Sequence, residues 1–114
     1  MDEVSISAPT KVTELKDGYY RTMEITPEQF GLARAQKSAV VGGTPQENAQ
    51  ITRDILAGEE TGPKHDVAIF NAGAALYLAE KTPTIADGIE LAQAQIDTGA
   101  ATRTLEAFVR ESNA

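Results

Sequence analysis

The hydrophobic pattern of this chain changes period once, near Pro27, and that change limits what it can fold into. Before Pro27 the apolar residues alternate at the two-residue period of strands; after it they recur at the three- and four-residue spacings of helices. The expectation is a strand-rich head over residues 1–26 and a helical body over residues 27–114. In the head, Val4 and Ile6 alternate with Glu3, Ser5 and Ser7, as in a half-buried strand. Ala8-Pro9 then interrupts any ladder, because proline donates no hydrogen bond. Lys11 to Lys16 leads into Asp17-Gly18, and Tyr19 to Ile25 alternates after it; Asp-Gly between such runs predicts a hairpin.

In the body, Thr26-Pro27-Glu28-Gln29 places a hydroxyl at a cap, proline at the first helical position and glutamine three residues on, which predicts a short helical turn through Phe30. Gly31 to Gly43 is weakly periodic and reads as loop with room for one turn of helix. Thr44-Pro45-Gln46-Glu47 repeats the capping pattern and opens a helix whose stripe is Ile51, Ile55 and Leu56, ending at Gly58. Pro63 to Lys81 is apolar nearly all round, so the other elements should pack against it. Thr84 caps a fourth helix, with Asp87 at its third position and Ile85, Ile89, Ala92 and Ile96 on one face, and Gly99 stops it. The last helix runs from about Ala101 to Glu111, with Leu105, Phe108 and Val109 expected to face inward. The fold class is α/β, or α+β for these residues alone. A small, mainly antiparallel sheet or hairpin at the N-terminal end packs on four to five helices.

A chain of 114 residues suits one domain and buries roughly two-thirds of the surface its unfolded form exposes. Seventeen Asp and Glu against ten Lys and Arg give a formal charge of -7, so there is no basic footprint for a nucleic acid partner. The absence of cysteine removes disulfides, thiolate metal sites and cysteine nucleophiles, and fits a reducing, cytoplasmic setting. Met1-Asp2-Glu3-Val4 shows no secretory n-region, and the longest apolar run, Val67 to Ala79, falls short of the roughly 20 residues that cross a bilayer, so no membrane partner is expected.

Nucleophilic catalysis requires a base beside the nucleophile, and His65 is the one imidazole. It lies among charged residues in the first turn of a helix and reads as a solvated side chain; no triad is indicated. Gly42-Gly43-Thr44 reads as a turn and a cap, being neither a Walker loop nor a dinucleotide fingerprint. Asn71, in the middle of an apolar helix, needs a partner for its amide, and a hydrogen bond to a neighbouring loop supplies one. Asp2-Glu3 is the constellation with the chemistry of a hard-cation site, since magnesium prefers carboxylate oxygens and keeps coordination positions for water and phosphate. Adjacent residues of a regular strand point to opposite faces. The pair could therefore share one ion only from irregular backbone, or serve two ions.

Several strings, in order, carry a resemblance. They are Met1-Asp2-Glu3-Val4-Ser5-Ile6-Ser7, Pro9-Thr10-Lys11-Val12 with Glu14-Leu15, and Ile25-Thr26-Pro27-Glu28 with Phe30-Gly31-Leu32. Gly42-Gly43 with Glu47-Asn48-Ala49, Asn71-Ala72-Gly73-Ala74-Ala75-Leu76-Tyr77, and Ile96-Asp97 with Gly99-Ala100-Ala101 continue the series. Together they resemble the carboxyl-terminal portion of the anthranilate phosphoribosyltransferase family. The resemblance implies a larger mixed sheet in the parent enzyme and a Mg2+-dependent transfer of phosphoribosyl from phosphoribosyl pyrophosphate to anthranilate, in tryptophan biosynthesis. It also implies that Asp2 and Glu3 match the acidic pair that helps hold the magnesium. Thr44 stands where the family often has an aspartate cap, and His65 where arginine or lysine is common.

Family members carry a helical domain, a glycine-rich pyrophosphate loop, a Lys-His segment and the anthranilate contacts before the acidic pair, and these 114 residues contain none of them. No catalytic or substrate-binding residue is therefore assigned here, and the chain alone is expected to lack transferase activity and to self-associate through unpaired strand edges. The alternatives are a pyrimidine nucleoside phosphorylase-like fragment and a non-catalytic binding or interaction module of the same family.

Overall fold

A computed structural model describes residues 2–114. Its elements are β1 (Thr10–Lys16), β2 (Tyr19–Ile25), two 3-10 turns (Pro27–Phe30 and Lys37–Val40), α1 (Pro45–Leu56), α2 (Pro63–Leu78), α3 (Ile85–Asp97) and α4 (Ala100–Ser112). The α/β expectation holds as a two-stranded antiparallel hairpin followed by four α-helices.

Asp17 and Gly18 make the hairpin turn with φ of 52° and 81°. Both are left-handed, as a two-residue turn matched to strand twist requires. The turn sets the register, from Lys16 opposite Tyr19 to Thr10 opposite Ile25. Val12 and Glu14 thus share a face with Met23 and Ile25, turned toward the helices, while Leu15 and Tyr20 stand exposed on the other face. The hydroxyls of Thr13 and Thr22 meet across that outer face at 3.1 Å.

The strand expected at Val4–Ile6 is absent: residues 4–7 are irregular. Side chains take several of their backbone groups, and the Ile6 carbonyl accepts from Ala35 N–H at 3.1 Å. Val4 N–H donates to Asn71 Oδ1 at 2.8 Å, Ser5 N–H to Thr10 Oγ1 at 3.0 Å and Ser7 N–H to Ser5 Oγ at 3.0 Å. The inward half of the expectation survives, because Ile6 is fully buried.

Helix α2 is central, as its all-round apolar surface predicts. Its buried Ile69 and Phe70 join Ile89, Ala92 and Ile96 of α3 and Ile25 of β2 in one core. Phe30, from the first 3-10 turn, sets its ring against Phe70 with centroids 5.3 Å apart. Helices α2 and α3 approach at Gly73 and Gly88. A Cβ on Gly73 would lie 2.6 Å from the backbone nitrogen of Ile89, and one on Gly88 would meet the carbonyl of Gly73. Helix α2 ends at Leu78, three residues before the predicted Lys81, because Glu80 turns left-handed at φ 59° and Lys81 N–H closes onto the carbonyl of Leu76 at 2.9 Å.

The capping predictions hold: Thr44 Oγ1 accepts from Glu47 N–H at 3.2 Å and Thr84 Oγ1 from Asp87 N–H at 3.1 Å. At Thr26 the backbone N–H donates to Gln29 Oε1 at 2.8 Å. For α4 the prediction of three inward residues needs correction. Leu105 is half-buried, but Phe108 is 69% and Val109 45% exposed. The contacts that hold α4 lie in its first turns, where Ala101 packs on the core and Thr102 Oγ1 donates to the carbonyl of Leu56 at 3.0 Å. No helix among the described residues is long and apolar enough to cross a membrane.

Candidate functional site

Asp2 and Glu3 are both exposed, and both lie on non-strand backbone immediately before the tethered residue Val4. The irregular backbone removes the objection that successive strand residues diverge. Asn71 fixes the start of this segment twice: its Oδ1 accepts from Val4 N–H at 2.8 Å and its Nδ2 donates to Val4 O at 2.9 Å. The second proton of Nδ2 goes to Val67 O, one turn back along α2, at 2.9 Å. The prediction that a loop satisfies Asn71 is therefore met, and the loop is the one that carries the acidic pair.

The donor set fits a hard cation. Two exposed carboxylates offer oxygen ligands and leave the rest of the shell to water and phosphate, as magnesium sites commonly do. Among the described residues no three His, Cys, Asp or Glu side chains gather into a fuller metal cage. The pair supplies at most two ligands.

His65 is not the solvated side chain that its charged neighbourhood suggests; it is buried. Its Nδ1 lies 2.9 Å from Asp66 Oδ1 and its Nε2 2.7 Å from Gln93 Oε1, and Gln93 in turn donates to Asp97 Oδ1 at 2.9 Å. Nε2 joins α2 to α3 and Nδ1 is held within α2, so both ring nitrogens are engaged and neither is left to act as a general base. Sequence spacing could not show this, because Gln93 lies 28 positions away. Gly42-Gly43 is irregular chain leading into the Thr44 cap, and Gly43 N–H donates to Asn48 Oδ1 at 2.8 Å, so that backbone donor is not free for a phosphate.

A second polar cluster went unpredicted. Tyr77 of α2 donates its phenol to Glu14 of β1, and Arg21 of β2 pairs with the same carboxylate at 3.4 Å. The Tyr77 hydrogen bond holds the Glu14 carboxyl below its ordinary range, with help from Arg21, and Glu14 holds the phenol above its own. The Arg21–Glu14 half was readable once Asp17-Gly18 set the register. The Tyr77 half, 63 residues distant, was not. The cluster closes one wall of a largely apolar groove of about 480 Å3 between the hairpin and helices α2 and α3, lined by Val12, Met23, Phe30, Ala74 and Ile85 among others. Neither Asp2 nor Glu3 lines that groove.

The hairpin and helix bundle are those of a known family. Residues 1–102 match the glycosyl transferase family, a/b domain, and the chain belongs to it. Among its relatives, the anthranilate phosphoribosyltransferase of Rubrobacter xylanophilus is 46% identical over 112 residues, covering 98% of this chain and 33% of that protein. That of Symbiobacterium thermophilum is 49% identical over 106 residues, covering 93% and 31%. Among solved structures, the anthranilate phosphoribosyltransferase of Thermus thermophilus superposes with a TM-score of 0.89 at 38% identity, over 100% of this chain and 33% of the other. A variant of the Saccharomyces cerevisiae enzyme described with Mg bound superposes at 0.85 and 29% identity, over 96% and 32%. The chain thus spans about a third of the length of the relatives it matches.

Proposed function

We propose that residues 1–114 are the carboxyl-terminal segment of the catalytic domain of an anthranilate phosphoribosyltransferase, which transfers phosphoribosyl from phosphoribosyl pyrophosphate to the amino group of anthranilate. The observation that carries this reading is the superposition of the whole chain on a third of such an enzyme, at a TM-score of 0.89. In this reading Asp2 and Glu3 hold magnesium, and their exposure leaves room beside them for a pyrophosphate group. Magnesium, when bound, offsets the negative charge that the departing pyrophosphate gains. The chain's own residues supply the metal-holding carboxylates and the scaffold that fixes them. The phosphoribosyl and anthranilate contacts belong to the other two thirds of the enzyme.

The working location is the cytoplasm, a reducing setting that suits a cysteine-free chain. The exposed Leu15, Tyr19, Tyr20, Leu78 and Phe108 favour self-association of the chain when it stands alone. A nucleic-acid-binding role gains no support from a charge of -7.

The test is a fluorescence assay of anthranilate consumption with phosphoribosyl pyrophosphate and Mg2+. The purified chain is expected to give no turnover. The same chain joined to the remaining two thirds of the Thermus thermophilus relative is expected to turn over. Turnover by the chain alone, or a joined protein that folds but is inert, would overturn the proposal.

A further inference from the structure

We infer that Asn71 is a positioning residue for the metal-holding pair: its side-chain amide, set in the middle of α2, fixes the backbone from which Asp2 and Glu3 project. This rests on the magnesium reading given above.

The argument begins with capacity. A carboxamide has two donor protons and two acceptor positions. Asn71 spends both protons and one acceptor position on Val4 and on its own helix, at 2.8 to 2.9 Å. The two bonds to Val4 are reciprocal, N–H to Oδ1 and Nδ2–H to C=O, so the amide does for Val4 what a neighbouring strand would do. The bond to Val67 O locks the amide orientation, since only the nitrogen can donate to a helix carbonyl. Val4 also packs its side chain on the core, and Ser5 N–H is held by Thr10 Oγ1.

Glu3 is bonded directly to Val4, and Asp2 is one residue further. Two carboxylates at the edge of a loop fixed in this way lose less freedom on gathering round one ion than two on a fraying end, and affinity rises accordingly. Helix α2 is itself anchored through Ile69 and Phe70 on one side of Asn71 and the Gly73–Gly88 approach on the other. The pair is thereby referred to the buried core of the chain.

The test uses the 114-residue chain, 15N-labelled, with two readouts. Amide hydrogen exchange at Val4 reports the tether, and paramagnetic broadening by Mn2+ alone, a hard cation that takes carboxylate and water ligands as Mg2+ does, reports the pair. In the parent chain, broadening at Glu3 and Val4 is expected at lower Mn2+ than at a single exposed carboxylate of α4, Glu106. Asn71→Ala is expected to reduce Val4 protection by about tenfold or more, as unpairing partly buried backbone groups does, while the amides of α3 keep their shifts. It is also expected to raise the Mn2+ midpoint at Glu3 several-fold. Asn71→Leu, close to the same shape with neither donor nor acceptor and a good helix former, should give the same two changes if Asn71→Ala folds poorly. A loss of Val4 protection with an unchanged Mn2+ midpoint would overturn the positioning role. Unchanged Val4 protection would overturn the tether. No Mn2+ preference for Asp2 and Glu3 in the parent chain would overturn the magnesium reading, and this proposal with it, whatever Val4 does.

Discussion

Replacing Gly88 by alanine sets two effects of known size against each other. An alanine inside a helix is favoured over glycine by at most about 1 kcal/mol, and position 88 lies in the first turns of α3, where the gain is smaller. Against this, the new Cβ would lie 2.9 Å from the carbonyl carbon and 3.0 Å from the Cα of Gly73, and would press on its carbonyl oxygen. Carbon atoms in good contact sit about 3.5 to 4.0 Å apart, so the helices must separate by roughly 0.5 to 1 Å. No flexible side chain can yield, because the obstruction is backbone. A gap of that size forfeits about a quarter to a half of the dispersion energy of each contact it opens, and the contacts in question join Ile69 and Phe70 to Ile89 and Ala92.

Overpacking of this kind costs about 1 to 3 kcal/mol, and a rigid obstruction places it at the upper end. After the propensity gain the net loss is about 2 kcal/mol, which for a chain of this length lowers Tm by about 8 °C. Calorimetry of Gly88→Ala, Gly73→Ala and the double variant checks it. The double variant should lose less than the sum of the singles, because both new methyl groups open the same contact. A Tm for Gly88→Ala equal to or above that of the parent would show that the helices do not meet backbone to backbone, and would refute the reasoning.

Further predictions concern the other polar contacts and the exposed apolar surface. Glu14 has a folded pKa below its ordinary value of 4.5, chiefly through the Tyr77 hydrogen bond, so its contribution is present above that value and lost as the pH falls through the folded one. Tyr77→Phe should therefore lower Tm at pH 7, and the deficit should shrink in melts recorded toward pH 3; a constant deficit would assign it to packing alone. The raised Tyr77 phenol works in the opposite sense: its contribution is present below the ordinary value of 10.0 and lost as the pH rises through the folded pKa, so ultraviolet titration should show tyrosinate forming late at this ring. His65→Ala should cost about 1 to 3 kcal/mol in urea unfolding by removing the partner of Asp66 Oδ1 and of Gln93 Oε1, and a loss near zero would contradict the bridge between α2 and α3. Light scattering should show mass rising with concentration and falling back in Phe108→Ser combined with Tyr20→Lys; a monomer at all concentrations would count against self-association.

Local chemistry made much of this fold readable. The Asp17-Gly18 turn fixes the hairpin and its register without reference to anything distant, and the threonines at 26, 44 and 84 mark the starts of the helical segments. What sequence could not show is what depends on long-range partners. Val4 and Ile6 carry the alternation of a strand, but strand formation requires a pairing backbone, and here an asparagine 67 residues away takes that place. Phe108 and Val109 have helical spacing, which predicts that they share a face but not that the face is covered. His65 departs from the sequence reading for the same reason, since its partner Gln93 lies on α3, 28 positions away. The acidic pair was legible as chemistry from its two carboxylates. Its irregular, tethered backbone, on which shared coordination depends, became visible only in three dimensions.

The most direct measurement is a magnesium titration of turnover in the protein made by joining this chain to the other two thirds of the Thermus thermophilus relative, compared with its Asp2→Asn and Glu3→Gln variants. Each variant should need at least about tenfold more Mg2+ for half-maximal rate, as loss of one carboxylate ligand implies. Magnesium curves that superpose on the parent's would contradict the account.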